Sequence, residues 1–207
     1  MKYRNYIFDQ GNVVLDISPQ LSLDAFTPLL DEKVEGAITA ADLLGGAVGE
    51  LVGQYQVGRI STARFIDQLM PQMKSGVTRE QVLTAWNALI QDVPEVRREA
   101  LLKLRASGAR VYMLSNTNDA HMARIYEKCF GGHRAGMLRY FDDLFLSNEM
   151  GMAKPSEEIF REVIRRTGLN PKETIFVDDI QKNLDTAAAL GFDTMLSTGN
   201  RWVEELV

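Results

Sequence analysis

Three acids, a lysine and a serine carry the chemistry open to this chain. Asp9 closes the apolar run Tyr6-Ile7-Phe8 and is followed by Gln10-Gly11-Asn12. Val111-Tyr112-Met113-Leu114 runs into Ser115-Asn116-Thr117, and Thr174-Ile175-Phe176-Val177 runs into Asp178-Asp179. Lys154 stands between these runs, in Gly151-Met152-Ala153-Lys154-Pro155. A carboxylate at a strand end serves as nucleophile, base or metal ligand. The adjacent acids Asp178 and Asp179 repel unless a cation neutralises them, and a hard, oxygen-liganded ion such as Mg²⁺ suits that task. Ser115 and the amides that follow it can hold anionic oxygens, and Lys154 adds a compact positive charge suited to phosphate. Metal, ammonium and hydroxyl around one carboxylate fit phosphoryl transfer, where positioning and charge neutralisation are the main tasks. A carboxylate nucleophile would then form an aspartyl phosphate.

The elements that must position these residues follow from the pattern. Short apolar runs read as buried parallel strands, and ligands of an open α/β sheet sit beyond the carboxyl ends of its strands. Residues 5–15 read as a strand, with Val13-Val14-Leu15 continuing it or returning beside it. From Pro94, which suits a helix first turn, helix and strand alternate. A helix ends at Gly108 and strand 110–114 follows, then a helix from about 118 to 129 and a short strand at Leu144-Phe145-Leu146-Ser147. A helix runs from near Ser156 to Gly168, then strand 174–177, a helix over 183–190 and a last strand at Thr194-Met195-Leu196. That alternation implies a parallel sheet with helices on both faces.

Residues 19 to about 92 read differently. Ser61 and Thr78 open helices as capping residues, with Phe65, Ile66, Leu69 and Met70 on one face, and Val82, Leu83, Trp86, Leu89 and Ile90 on another. The glycine-rich stretch Gly45-Gly46-Ala47-Val48-Gly49 reads as a loop between helices, because no strand precedes it as a phosphate cradle requires. A crossover between parallel strands needs only about a dozen residues, so this long helical segment reads as an insert over the pocket. The expected division is a core of residues 1–16 and 93–207, with a helical cap of residues 17–92.

Composition narrows the function. With 207 residues, 45% hydrophobic and 25% charged, the chain suits one soluble globular unit with a sizeable insert. A net charge of −5 argues against general nucleic-acid binding. A single cysteine, Cys129, excludes an intramolecular disulfide and favours a reducing compartment. No stretch approaches the roughly 18 apolar residues of a membrane helix, and Asp9 and Gln10 break the N-terminal apolar stretch too early for a signal peptide. The expected location is the cytoplasm. No obligate protein partner is evident.

At the residues named above, the chain resembles the haloacid dehalogenase superfamily. Phe8-Asp9-Gln10-Gly11-Asn12-Val13 is similar to its first motif, Leu114-Ser115-Asn116-Thr117 to its second, Gly-Met-Ala-Lys154-Pro to its third, and Phe176-Val177-Asp178-Asp179 with Asn183 to its fourth. The wording of the motifs most resembles the bacterial α-D-glucose-1-phosphate phosphatase-like branch. The resemblance implies a Rossmann-like α/β core with a small all-helical cap of the first cap class. It implies Asp9 as nucleophile and Ser115, Asn116 and Lys154 around the phosphate. It also implies Mg²⁺ on Asp9, the Gly11 carbonyl, Asp178 and Asp179. The implied activity is Mg²⁺-dependent hydrolysis of a small phosphorylated metabolite, a sugar phosphate and in particular a sugar 1-phosphate.

One departure bears on mechanism. Most phosphatases of the superfamily carry, two residues after the nucleophile, an aspartate that protonates the leaving group. Here that position is Gly11, and general acid–base help is worth about 10²–10⁴-fold. Two other readings follow: a metal-independent dehalogenase, disfavoured by the retained Asp178-Asp179 pair, and a catalytically idle phosphometabolite-binding protein. His121 and Asp16 are the candidates for a substitute acid. His133 reads as surface loop, Trp86 as cap core and Cys129 as a buried small residue. Arg59 reads equally as a cap specificity residue or a solvated charge.

Overall fold

The computed structural model describes residues 2–31 and 46–207, so residues 32–45 of the expected cap, Gly45 among them, lie outside the description. Among the described residues five parallel strands form one sheet in the order β3-β2-β1-β4-β5. They are β1 (Asn5–Phe8), β2 (Arg110–Ser115), β3 (Asp143–Leu146), β4 (Thr174–Asp178) and β5 (Asp193–Leu196). Phe8 pairs with Met113 on one side and Val177 on the other. The strand order turns back at β1: β2 and β3 lie to one side, β4 and β5 to the other. The ends of β1 and β4 therefore flank the crevice where such sheets bind ligands.

Side chains alternate across the sheet. Tyr6, Phe8, Val111, Met113, Ile175 and Val177 share one buried cluster. It also takes in Leu101 and Leu104 of the helix Glu95–Ala106, Met122 and Ile125 of the helix Asp119–Cys129, and Trp202 of the C-terminal helix Arg201–Leu206. Ile7, Tyr112, Leu114, Phe145 and Phe176 face the other way, against Ile159, Phe160 and Val163 of the helix Glu157–Thr167 and Leu184 of the helix Gln181–Ala189. The layered α/β architecture expected from the sequence is present.

The helices Pro19–Phe26, Gly46–Gln56, Thr62–Leu69 and Arg79–Asn87 contribute a third cluster, built on Phe26, Leu30, Val52, Tyr55, Phe65, Leu69, Val82 and Trp86. Ser61 and Thr78 cap their helices as expected, Thr78 in a reciprocal capping box with Gln81. The two connections to the sheet meet where Ile17 and Ile90 form an antiparallel bridge, flanked by Gln91 N–H to the Asp16 carbonyl and Ser18 N–H to the Leu89 carbonyl.

Some expectations require correction. β1 stops at Phe8; Val13, Val14 and Leu15 are fully buried but belong to a turn, whose Val14 and Leu15 amides donate to the Gln10 carbonyl. Pro94 stands just outside its helix, which begins at Glu95. Residues 46–49 open a helix and are not a loop. The helix of Trp86 ends at Asn87, before Leu89 and Ile90. Cys129 is half-buried, not buried.

Candidate active site

Of the predicted residues, the three acids, Ser115 and Asn116 sit where strands end, and Lys154 sits in a loop. The Asp9 N–H donates to the Val177 carbonyl at 2.8 Å, extending the β1–β4 ladder by one step and aiming the side chain into the crevice. Asp178 is the last residue of β4, and Ser115 is the last of β2. Lys154 follows the short helix Ser147–Met150, which ends at left-handed Gly151, where the absence of a Cβ removes the steric cost of a φ of 72°.

At the centre, the Lys154 ammonium donates to Asp9 Oδ1 at 2.6 Å and to Asp178 Oδ2 at 2.7 Å. It is buried, and the face of Phe176 lies 5.4 Å away. Burial alone would push the lysine pKa down. The attraction of Asp9 and Asp178 outweighs burial, and the pKa is raised. Asp9 is pushed up to about 6, first by burial and then by the neighbouring Asp178 and Asp179, with Lys154 opposing. Among the described residues Lys154 is the hydrogen-bond donor to the Asp9 carboxylate, through Oδ1, which leaves Oδ2 available for attack.

Asp178 is fully buried and clamped. Asn183 Nδ2 reaches both of its oxygens, at 3.0 and 3.1 Å, and the Ile180 amide donates to Oδ1. Asp179 is half-buried and accepts from Asn12 Nδ2 at 3.1 Å; its pKa is raised, by burial above all. Among the described residues no three acidic, cysteine or histidine side chains close on one point as a metal cage. The ammonium takes the space between Asp9 and Asp178, while Asp179 turns to Asn12. The donor set nonetheless fits Mg²⁺. It is all hard oxygen, and three carboxylates face one ammonium that binds only Asp9 and Asp178, which leaves negative charge that a divalent ion would neutralise.

Around the phosphate position expected from the sequence, Ser115 Oγ lies 3.1 Å from Gln10 Oε1. The Asn116 side chain is occupied with the lysine loop: its Nδ2 donates to the Lys154 carbonyl at 2.8 Å and its Oδ1 accepts the Lys154 amide at 2.9 Å. Asn116 therefore positions Lys154 through its side chain. Thr117 is fixed by Ser147, whose hydroxyl accepts the Thr117 amide at 2.9 Å and donates to the Gln56 carbonyl at 2.6 Å, linking this loop to the helical segment.

The substitute acids do not assemble here. Asp16 is exposed and paired with buried Arg97 at 2.8 Å. His121 stacks on Trp86, with ring centroids 4.8 Å apart, and its Nε2 lies 3.2 Å from the Trp86 carbonyl; burial holds its pKa down at about 4. His133 is exposed, as is Arg59. A Cβ at Gly11 would meet Ile17 Cδ1 at 3.0 Å and stand 3.9 Å from Asp9 Oδ2. The acid/base position therefore faces an isoleucine. Gly11 is not among the residues with positive φ, so its backbone admits other side chains.

Sequence reasoning passed over Gln10, Asn12, Asn118 and Ser147. Asn118 is buried, caps the helix that follows and reaches Trp86 Nε1 at 3.5 Å. Asn12 carried a signal, since Gly-Asn after a strand marks a turn that needs the left-handed conformation.

Comparison with known proteins identifies the family of this fold. The haloacid dehalogenase-like hydrolase family matches residues 3–191. D-ribitol-5-phosphate phosphatase of Bacteroides thetaiotaomicron is 30% identical over 204 residues, covering 98% of this chain and 96% of that protein. A crystal structure of a HAD family enzyme from the same organism superposes with a TM-score of 0.87 at 31% identity, covering both chains fully. The same wild-type enzyme in complex with magnesium and inorganic phosphate gives 0.85 at 32% identity, over 99% of this chain and 100% of that one.

Proposed function

Because the chain belongs to the haloacid dehalogenase-like hydrolases, we propose that it is a Mg²⁺-dependent phosphatase of a small phosphorylated sugar or polyol. The observation that carries this reading is the buried Lys154 ammonium bridging Asp9 and Asp178 at the turning point of the sheet. Asp9 Oδ2 attacks phosphorus, the ester oxygen leaves, and water then cleaves the aspartyl phosphate. Lys154 neutralises phosphate charge and holds Asp9 in line. Ser115 and the Asn116 amide bind the remaining oxygens. Asp9, the Gly11 carbonyl, Asp178 and Asp179 would hold Mg²⁺, which supplies charge neutralisation on the transferring group. Residues 17–92 act as the cap and select the substrate, with 1–16 and 93–207 as the core. The cytoplasm suits the lone Cys129, and no helix among the described residues is long and apolar enough to cross a membrane.

Two substrate classes compete within this reading. Gly11 and Ile17 provide no acid to the leaving oxygen, which favours a sugar 1-phosphate, whose anomeric oxygen leaves more readily than an ordinary alcohol. The ribitol 5-phosphate activity of the relative favours a terminal polyol phosphate. Phosphate release from aldose 1-phosphates, pentitol 5-phosphates and an aryl phosphate, with Mg²⁺ and with EDTA, separates them. The expected result is Mg²⁺-dependent turnover that falls steeply with leaving-group pKa. Full activity in EDTA overturns the metal role. Halide release from a haloacid without phosphatase activity returns the dehalogenase reading, and phosphate-ester binding without turnover returns the idle one. A flat dependence on leaving-group pKa, with chemistry rate-limiting, means that another side chain supplies the proton.

A further inference from the structure

We propose that Asn12 is a positioning residue that anchors the Asp179 carboxylate beside the site as a metal ligand and ties it to the cap connection at Ile17. This rests on the metal reading of Asp179 given above. Asn12 has φ 56°, the only positive φ among the described non-glycine residues. The left-handed region costs most L-residues about 1–2 kcal/mol and costs asparagine less. Something must reward that conformation, and both ends of the side chain amide are engaged.

Nδ2 donates to Asp179 Oδ2 at 3.1 Å, and Oδ1 accepts the Ile17 amide at 3.4 Å. The assignment is forced by chemistry, because the carboxylate only accepts and the backbone N–H only donates. The Asn12 carbonyl in turn accepts the Gly199 amide at 2.9 Å, which pins the turn to the segment before the C-terminal helix. Ile17 forms the bridge to Ile90 that joins the two cap connections. One side chain therefore spans the acid and the cap connection. Asp178 has an equivalent clamp in Asn183; Asn12 plays that part for Asp179. Partners of this kind typically change metal affinity about 10–100-fold when lost.

The test is Mg²⁺ binding by calorimetry to the intact protein, beside Mg²⁺ titration of activity. Asn12→Gly keeps the left-handed turn without its steric cost and removes both hydrogen bonds. It should weaken Mg²⁺ binding at least about tenfold, while kcat at saturating Mg²⁺ recovers to within about threefold of wild type. Asn12→Ala should lose the same affinity and also melt lower, since alanine must pay the left-handed cost. Mg²⁺ affinity within twofold of wild type in Asn12→Gly overturns the proposal, as does a loss confined to Asn12→Ala, which would assign the effect to backbone strain. A wild type that binds no Mg²⁺ removes the metal reading and this proposal together; normal binding by both wild type and Asn12→Gly removes only this one.

Discussion

Two walls of this molecule, one polar at the site and one aromatic in the helical cluster, are held by different forces. On the β1–β4 side, Asp9, Lys154, Asp178 and Asn183 form a buried polar chain in which every contact is directional and the attacking Oδ2 of Asp9 is left open. On the cap side, Tyr55, Phe65, Trp86 and His121 form a run of rings, with successive centroids 4.5, 4.6 and 4.8 Å apart. The first wall is expensive to bury and tolerates no missing partner. The second gains from apolar burial and stacking and tolerates changes of shape better. Substitutions in the polar wall should therefore cost rate above all, whether or not they also cost stability, and those in the aromatic wall should cost stability without a comparable loss of rate.

The largest expected effect is at Asp9. Asp9→Asn is nearly isosteric and keeps an acceptor for Lys154, so the fold should persist while turnover falls by about 10⁴-fold or more, the scale of losing a nucleophile. Residual activity within tenfold of wild type, in protein free of contamination, removes Asp9 from the nucleophile role and the polar wall from the centre of the chemistry.

Next is Lys154→Ala. It leaves Asp9 and Asp178 facing each other without their shared ammonium. kcat/KM should fall at least about 10²-fold, as on losing one electrostatic stabiliser. The variant should also melt lower, since removing one partner of a buried ion pair typically costs about 3–5 kcal/mol. Added Mg²⁺ should recover part of the melting temperature by replacing some of the lost charge. A change in kcat/KM below threefold demotes the residue to a structural counter-ion.

Trp86→Ala tests the other wall. It empties the middle of the aromatic run, where truncation of a large buried ring costs about 3–5 kcal/mol. Stability should fall by that order, and KM should rise more than kcat falls, because the cap holds substrate while the core does the chemistry. A hundredfold loss in kcat with unchanged stability would erase the distinction between the walls.

The sequence revealed these walls unequally, for a physical reason. Asp9, Ser115, Asp178 and Asp179 were legible because parallel strands are continuous apolar runs, and a polar residue that ends one must lie at the sheet edge. The β1 boundary was misread because Val13-Val14-Leu15 is as apolar as a strand. These residues are buried under Trp202, whose Nε1 donates to the Val13 carbonyl at 2.9 Å. Only the left-handed turn at Asn12 distinguishes that case. The aromatic wall joins residues from four separate helices, so periodicity identified Trp86 as apolar core but not its partners. Asn116 was legible as a site residue, yet its bonds to the Lys154 backbone depend on two loops meeting, which strand periodicity does not encode.

The smallest expected effect concerns His121, and it sharpens the comparison because this ring is the polar member of the aromatic wall. Burial, opposed by its bond to the Trp86 carbonyl, lowers its pKa from 6.5 to about 4. The unfolded chain therefore binds a proton between these values that the folded chain refuses. Stability from this group is complete above pH 6.5, is lost as the pH falls towards 4, and changes no further below that. Each unit of separation is worth at most about 1.4 kcal/mol, and the half-buried position of the ring lowers that ceiling. His121→Phe keeps an aromatic ring on Trp86 and removes the titration. Acid-induced loss of melting temperature between pH 7 and 4 should then be shallower in the variant than in wild type, although carboxylates steepen both curves alike. If the two curves run parallel over that range, His121 carries its proton in the folded protein, and the ring run would have to be redrawn with a cation against Trp86.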